Sequence, residues 1–136
     1  MRSRWLWLTA VVYAIALALV GLWSSPVDSK LDVVNFGPAA WMIDQLDLTP
    51  YDGYLLIEFF ANIVLFIPAG VLAMLIIPRL RWWQAAILGL AASSLIELLQ
   101  EVLRPARFAT LEDVVSNTIG TTIGAVIVAS VRQLRR

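Results

Sequence analysis

Six side chains that can exchange protons or hydrogen bonds interrupt otherwise apolar stretches of this chain. They form three pairs, and the three- or four-residue spacing within each pair puts both members on one face of a helix. The pairs are Glu58 with Asn62, Glu97 with Gln100, and Asp113 with Asn117. An ionisable side chain is costly inside a membrane and normally faces a bundle interior or a water-filled cavity. Such groups therefore indicate a site.

The residue types limit the chemistry of that site. The chain has no histidine and no cysteine, so acid or base work falls to carboxylates, with Glu58 and Glu97 as the candidate pair. Arg107 can neutralise a carboxylate or grip an anion such as a phosphate. The remaining candidates form a hydrogen-bonding frame for a ligand: Asn62, Gln100, Asp113 and Asn117. Carboxylate oxygens suit hard cations, so Glu58, Glu97 and Asp113 could hold a metal, but no spacing requires one, and the sequence leaves any cofactor unknown.

Composition places these residues in a lipid bilayer. Of the 136 residues, 60% are hydrophobic and only 15% are charged, a balance that soluble domains of this length rarely show. Four apolar stretches approach the roughly 20 residues that cross a hydrocarbon core. They lie at 5–23, 54–77, 82–103 and 111–131. The first is longer than a signal-peptide core and is not followed by a cleavage motif, so we expect it to be retained.

The fold predicted for residues 1–136 is a single all-α domain, a membrane four-helix bundle. Basic residues near the span ends set its orientation. Seven would lie on one side: Arg2, Arg4, Arg79, Arg81, Arg132, Arg135 and Arg136. Only Lys30, Arg104 and Arg107 would lie on the other. We therefore expect both termini on the cytoplasmic side of the membrane.

Three further features concern architecture. The long outer loop interleaves apolar and polar residues at 39–48, which favours a short interfacial helix about as much as an irregular segment. Pro68 removes a helical hydrogen bond and predicts a kink in the second span. Gly120 and Gly124 form a small-residue seam that would let another helix approach closely.

The three polar pairs are predicted to share one layer. Counted at about 1.5 Å per residue from the span ends, all six side chains lie within roughly 12 Å of the same membrane surface. Reversing the topology would move them together, so the convergence does not depend on orientation. The sequence therefore predicts a water-accessible polar pocket in the outer leaflet.

The motifs "EFFANIVLFIPAG", "SLIELLQ" and "RFATLEDVVSNTIGTTIGA" resemble the VanZ-like family of small bacterial membrane proteins. The match covers most of residues 54–125 and places all six polar residues, with Arg107, at family motif positions. Thr110 departs from the pattern, since relatives often carry an acidic or another small polar residue there. The resemblance implies a cell-envelope membrane protein, and the founding member is linked to teicoplanin resistance. It implies no reaction.

These observations leave three functions open. The first is a pocket that binds or processes an amphipathic envelope molecule, such as a lipid-linked sugar or a glycolipid. The second is a structural role in which the polar groups only bridge helices. The third is a small proton-coupled transporter, which the lack of a carboxylate near the midplane disfavours. The expected partners are membrane lipids and a lipid-linked envelope precursor rather than nucleic acid.

Overall fold

A computed structural model describes residues 2–21, 34–103 and 110–135. Within these ranges the chain forms five helices and no strand, which confirms the all-helical prediction for the part described. The helices are α1 Arg2–Gly21, α2 Gly37–Gln45, α3 Pro50–Ile76, α4 Trp82–Leu103 and α5 Leu111–Leu134.

Three of these helices are long and apolar enough to cross a membrane: α3, α4 and α5. The apolar part of α1 runs over Arg4–Val20 and is shorter. The structure therefore supports three candidate spans, and the fourth span and the orientation remain predictions.

The loop between α1 and α3 contains a helix. α2 begins with Pro38 in its first turn, where a missing N–H costs nothing, and it buries the side chain of Ile43. Ile43 packs against Gly53 near the start of α3, where a Cβ atom would meet the isoleucine side chain. Of the two alternatives for this segment, the helix is the one that forms.

The helix pair α3 and α5 forms the closest contact in the fold. The buried residues of α5 are nearly all small and recur every three or four positions: Ser116, Asn117, Gly120, Thr121, Gly124, Ala125 and Val128. A Cβ atom on Gly120 or Gly124 would come within 3.0 Å of a carbonyl oxygen of α3, and one on Gly70 would meet the carbonyl of Thr121. The predicted glycine seam is confirmed, and its partner helix is α3.

α4 also packs on α5, and α1 packs on α3. The hydroxyl of Tyr13 on α1 donates to the carbonyl oxygen of Leu65 at 2.6 Å. Leu65 lies one turn before Pro68, and α3 stays helical through the proline. Pro68 removes the helical bond to the carbonyl of Val64, and Tyr13 bonds to the next carbonyl along the helix, that of Leu65.

Arg132 on α5 joins that helix to the C-terminal end of α3. Its guanidinium donates to the carbonyl oxygens of Met74, Pro78 and Leu80, where α3 ends and turns toward α4. The last carbonyls of a helix lack intrahelical donors and attract a cation. Arg132 was predicted only as a topology anchor, and it also caps α3.

We expect Gly124→Ala to destabilise the fold, because its methyl group would push the carbonyl of Ile67 away and separate α3 from α5. The expected loss is about 1–3 kcal/mol, the range for overpacked contacts. Gly37→Ala is the matched control, since nothing lies within 4 Å of the added atom. Thermal unfolding in detergent measures both variants, and equal melting temperatures would contradict the close α3–α5 contact.

Candidate functional site

The N-terminus of α5 is capped by Thr110. Its hydroxyl oxygen accepts the backbone N–H of Asp113 at 3.2 Å, as an N-cap residue does for the third helical position. The sequence Thr110-Leu-Glu-Asp113 fits the capping-box pattern, in which the acidic residue normally reaches back to the N–H of the capping threonine. At the start of α3, the hydroxyl oxygen of Thr49 accepts the backbone N–H of Asp52 in the same way.

At the start of α5, the second hydrogen bond of the capping box is made by a side chain from another helix. Oε2 of Glu97 on α4 accepts the backbone N–H of Thr110 at 3.2 Å. Glu97 is only 6% exposed. A buried carboxylate at a helix N-terminus is stabilised by the orphan N–H groups and by the helix dipole. Glu97 therefore holds the end of α4 against the first turn of α5.

Asp113 is thereby free of the usual capping contact and bonds to α3 instead. Nδ2 of Asn62 donates to Oδ1 of Asp113 at 2.7 Å. A carboxylate acceptor makes this bond stronger than one between neutral groups. Two carboxylates thus tie the first turn of α5 to both of its neighbours, Asp113 to α3 and Glu97 to α4.

Asn117 lies one helical turn after Asp113 on α5, and it also bonds to a neighbouring helix. Its Nδ2 donates to Oγ of Ser93 on α4 at 2.9 Å, and its backbone carbonyl accepts the hydroxyl of Thr121. Asn117 is 5% exposed, and its Oδ1 has no hydrogen-bond partner among the described residues. We call the bonded set the polar ladder; its members are Asn62, Ser93, Glu97, Thr110, Asp113 and Asn117.

The other predicted site residues flank this ladder. Gln100 is buried on α4, one turn from Glu97 toward the C-terminus of the helix. Glu58 is half-buried on α3, one turn from Asn62 toward the N-terminus of the helix. Glu58 and Glu97 therefore lie on two different helices, both of which pack on α5. Arg107 lies outside the described residues, so its predicted pairing and anion contact stay predictions.

The carboxylates Glu58, Glu97 and Asp113 have the oxygen ligands that a hard cation needs. Among the described residues, no group of three or more His, Cys, Asp or Glu side chains is arranged to hold a metal ion. Glu58, Glu97 and Asp113 are all described, and they do not form such a group.

The register of α3 and α5 follows from their glycine contacts. Gly120 lies against the carbonyl of Ile63 and Gly124 against that of Ile67, so the start of α5 at Leu111 lies close to the level of Tyr54, as counting residues from the span ends predicts. The side chains of Asn62 and Asp113 bridge the difference in level between them with a hydrogen bond of 2.7 Å. The polar ladder lies beside the middle of α3 and at the N-terminus of α5.

Sequence reasoning missed three residues of this arrangement. Thr110 was treated only as a departure from a family pattern, although its threonine-x-x-aspartate spacing is a capping signal. Ser93 has no comparable signal, because a serine in an apolar helix commonly bonds to its own backbone. Tyr13 lies in an apolar stretch whose packing partner cannot be read from spacing.

The chain matches a known protein family over most of its length. The model of the VanZ/LLP1 family matches residues 7–132, which is nearly the whole chain. The chain belongs to the VanZ/LLP1 family. No curated protein and no solved structure matches it significantly. The resemblance predicted from residues 54–125 is confirmed, and the family match also takes in α1 and the loop that contains α2. With three apolar helices, VanZ/LLP1 membership indicates a membrane protein of the cell envelope.

The role of Glu97 in this VanZ/LLP1 protein can be tested by separating its charge from its acceptor oxygen. Glu97→Gln keeps an oxygen for the N–H of Thr110, so we expect most of the stability to remain. Glu97→Leu leaves that N–H without its acceptor, at an expected cost of about 1–3 kcal/mol. Thermal unfolding in detergent measures both.

Glu101 on the same helix is exposed and supplies the control substitution Glu101→Leu. If Glu97→Leu melts at the same temperature as Glu101→Leu, Glu97 does not cap α5.

Proposed function

We propose that the polar ladder binds the polar head of an amphipathic cell-envelope molecule, of lipid-linked sugar or glycolipid type. The observation that carries the proposal is the buried Oδ1 of Asn117, a hydrogen-bond acceptor with no donor among the described residues. An acceptor left unsatisfied in a buried place costs about 1–3 kcal/mol. A hydroxyl group of a bound head would supply the donor.

The charges around Asn117 favour the same kind of ligand. Glu58, Glu97 and Asp113 add carboxylates to the same end of the bundle, and carboxylates accept hydrogen bonds. A head rich in hydroxyl donors, such as a sugar, complements an acceptor-rich site. In this proposal Arg107 takes a phosphate that links the sugar to its lipid, while Glu58 and Glu97 are the candidate acid and base if the bound molecule is processed.

A structural role is the competing explanation, and it rests on a specific observation. The bonds from Asn62 to Asp113 and from Thr110 to Glu97 join three helices without any ligand. Bonds of this kind contribute about 0.6 kcal/mol each on average in membrane bundles. If the polar ladder only joins helices, substitutions in it will change stability, and no head group will be recognised.

The two functions can be separated by varying the head group on one chain. The probes are farnesyl phosphoryl glucose, farnesyl phosphate and farnesol, added to protein in a sugar-free detergent. We expect the glucose-bearing probe to raise the melting temperature most. Asp113→Asn keeps an oxygen for Asn62 but removes the charge, and we expect roughly tenfold weaker binding of that probe. The fold should be retained.

Glu112→Gln is the matched control, because Glu112 is the exposed neighbour of Asp113 on α5. If all three probes stabilise the wild-type protein equally, or if Asp113→Asn binds the glucose-bearing probe as the control does, head-group binding at the ladder is wrong.

The proposed orientation places the polar ladder toward the outer face and both termini in the cytoplasm. It is supported by the distribution of arginines along the sequence. The chain has no native cysteine, so single cysteines report position directly. With an impermeant thiol reagent applied to intact cells, we expect Gln45→Cys to be labelled and Arg135→Cys to be protected. The reverse pattern would overturn the orientation.

A further inference from the structure

A basic pocket lies at the other end of the bundle from the polar ladder, where α3 ends, α4 begins and α5 approaches its last turn. Its lining includes Met74, Leu80, Arg81, Trp82, Trp83 and Arg132. Arg132 follows Asp113 of the ladder by nineteen positions on α5, or about 28 Å along the helix. A hydrocarbon core is about 30 Å thick, so the basic pocket and the ladder lie near opposite membrane surfaces.

The basic pocket has two positive charges and no negative charge among its described lining residues. Arg81 and Arg132 are the charged side chains in this lining. All ten Asp and Glu residues of the chain lie within 28–58 and 97–113. The segments that form this end of the bundle, 74–83 and 129–135, therefore contain no carboxylate. These segments supply no counter-charge for the two arginines, so the basic pocket attracts an anion.

The guanidinium of Arg132 is held in place without losing its charge. It donates to the carbonyl oxygens of Met74, Pro78 and Leu80. Carbonyl groups are neutral, so these bonds fix the position of the guanidinium and leave its positive charge uncompensated. The three bonds use three of the five N–H donors that a guanidinium carries. A group already fixed in this way loses little conformational freedom when a ligand binds.

Arg81 is placed beside this guanidinium's pocket by the start of α4. Its backbone N–H donates to Oε1 of Gln84, and its carbonyl oxygen accepts the backbone N–H groups of Gln84 and Ala85. The side chain itself is exposed and reaches the pocket from that fixed backbone. The first N–H groups of a helix carry partial positive charge, so the start of α4 adds to the field of the two arginines. Guanidinium groups bind phosphate oxygens particularly well.

The remaining lining favours the phosphate of a lipid over a free anion. Leu80 contributes an apolar side chain, and Trp82 and Trp83 are adjacent tryptophans with exposed rings. Tryptophan is enriched at the level of the lipid headgroups, where its ring is apolar and its N–H is polar. These side chains can contact the glycerol and the first acyl carbons that follow a lipid phosphate. A free phosphate ion has no apolar part to place against them.

We infer that the basic pocket binds the phosphate group of an anionic phospholipid, with Arg81 and Arg132 as its cationic contacts. Basic pockets between transmembrane helices on the cytoplasmic side are suited to anionic headgroups, and the arginine distribution predicts that side for this end. A phosphate held by both arginines would link the start of α4 to the end of α5. The inference does not depend on the proposed function, because it requires neither the polar ladder nor its ligand.

The test varies the headgroup on constant acyl chains. Dioctanoyl phosphatidylglycerol and dioctanoyl phosphatidylcholine are titrated against the whole chain in a nonionic detergent, and bound lipid is counted by native mass spectrometry. We expect phosphatidylglycerol to bind more tightly, because its phosphate charge is not balanced by a choline. Arg81→Gln should weaken this binding about fivefold, the loss expected for one basic residue near an anionic headgroup.

Arg79→Gln is the matched control, because Arg79 is exposed in the same turn and does not line the basic pocket. It changes the net charge of the protein by the same amount, and we expect binding close to that of the wild type. Arg132→Gln, with Arg135→Gln as its control, tests the second contact once circular dichroism has shown that the variant folds. Equal binding of phosphatidylglycerol by Arg81→Gln and Arg79→Gln would overturn the site.

Three further outcomes would contradict the inference. Equal binding of the two lipids by the wild type would show that headgroup charge does not select the ligand. If inorganic phosphate raises the melting temperature in lipid-free detergent as much as phosphatidylglycerol does, the ligand is a free phosphate and not a lipid. If Asp113→Asn weakens phosphatidylglycerol binding as much as Arg81→Gln does, the lipid binds at the polar ladder. Normal phosphatidylglycerol binding by Asp113→Asn is the expected result, whether or not that variant binds the glucose-bearing probe.

Discussion

The close contact between α3 and α5 is the constraint on which the rest of this structure depends. Three glycines bring the two backbones together, and a methyl group at any of them would collide with a carbonyl oxygen. Lipid tails are as apolar as leucine, so close backbone packing, rather than removal of apolar surface from water, holds such helices together. The glycines also fix which residues lie side by side. Gly120 and Gly124 pack at Ile63 and Ile67, and on the same two helices the side chains of Asn62 and Asp113 come within hydrogen-bonding distance.

This fixed register explains why the polar residues lie together at one end. The backbone N–H of Thr110 at the start of α5 needs a hydrogen-bond acceptor, and Glu97 on α4 supplies it. This bond places the end of α4 beside the first turn of α5. The deeper bond from Asn117 to Ser93 repeats the contact one turn further in. The backbone N–H of Thr110 and the side-chain amides of Asn62 and Asn117 thus join three helices. The same packing leaves Oδ1 of Asn117 without a donor among the described residues.

Much of this was predictable from local signals. Hydrophobic runs indicated the helices, and the glycine spacing indicated a close contact, because both depend on residues near each other in sequence. The relative height of α3 and α5 was predictable, because counting from Tyr54 and Leu111 gives the register that the glycine contacts show. The partner of each polar side chain was not predictable: Asn62 and Asp113 start at different depths, and their side chains reach across that difference to form a hydrogen bond. The direction of a carboxylate such as Glu97, toward a backbone N–H of a neighbouring helix, likewise depends on tertiary contacts.

The hydrogen bond from Tyr13 to Leu65 has a consequence for how separately α1 is held. The hydroxyl joins α1 to the middle of α3, whereas glycines join α3 to α5 at other positions. A change that removes the Tyr13 hydroxyl would therefore loosen α1 and leave the glycine contact between α3 and α5 unchanged.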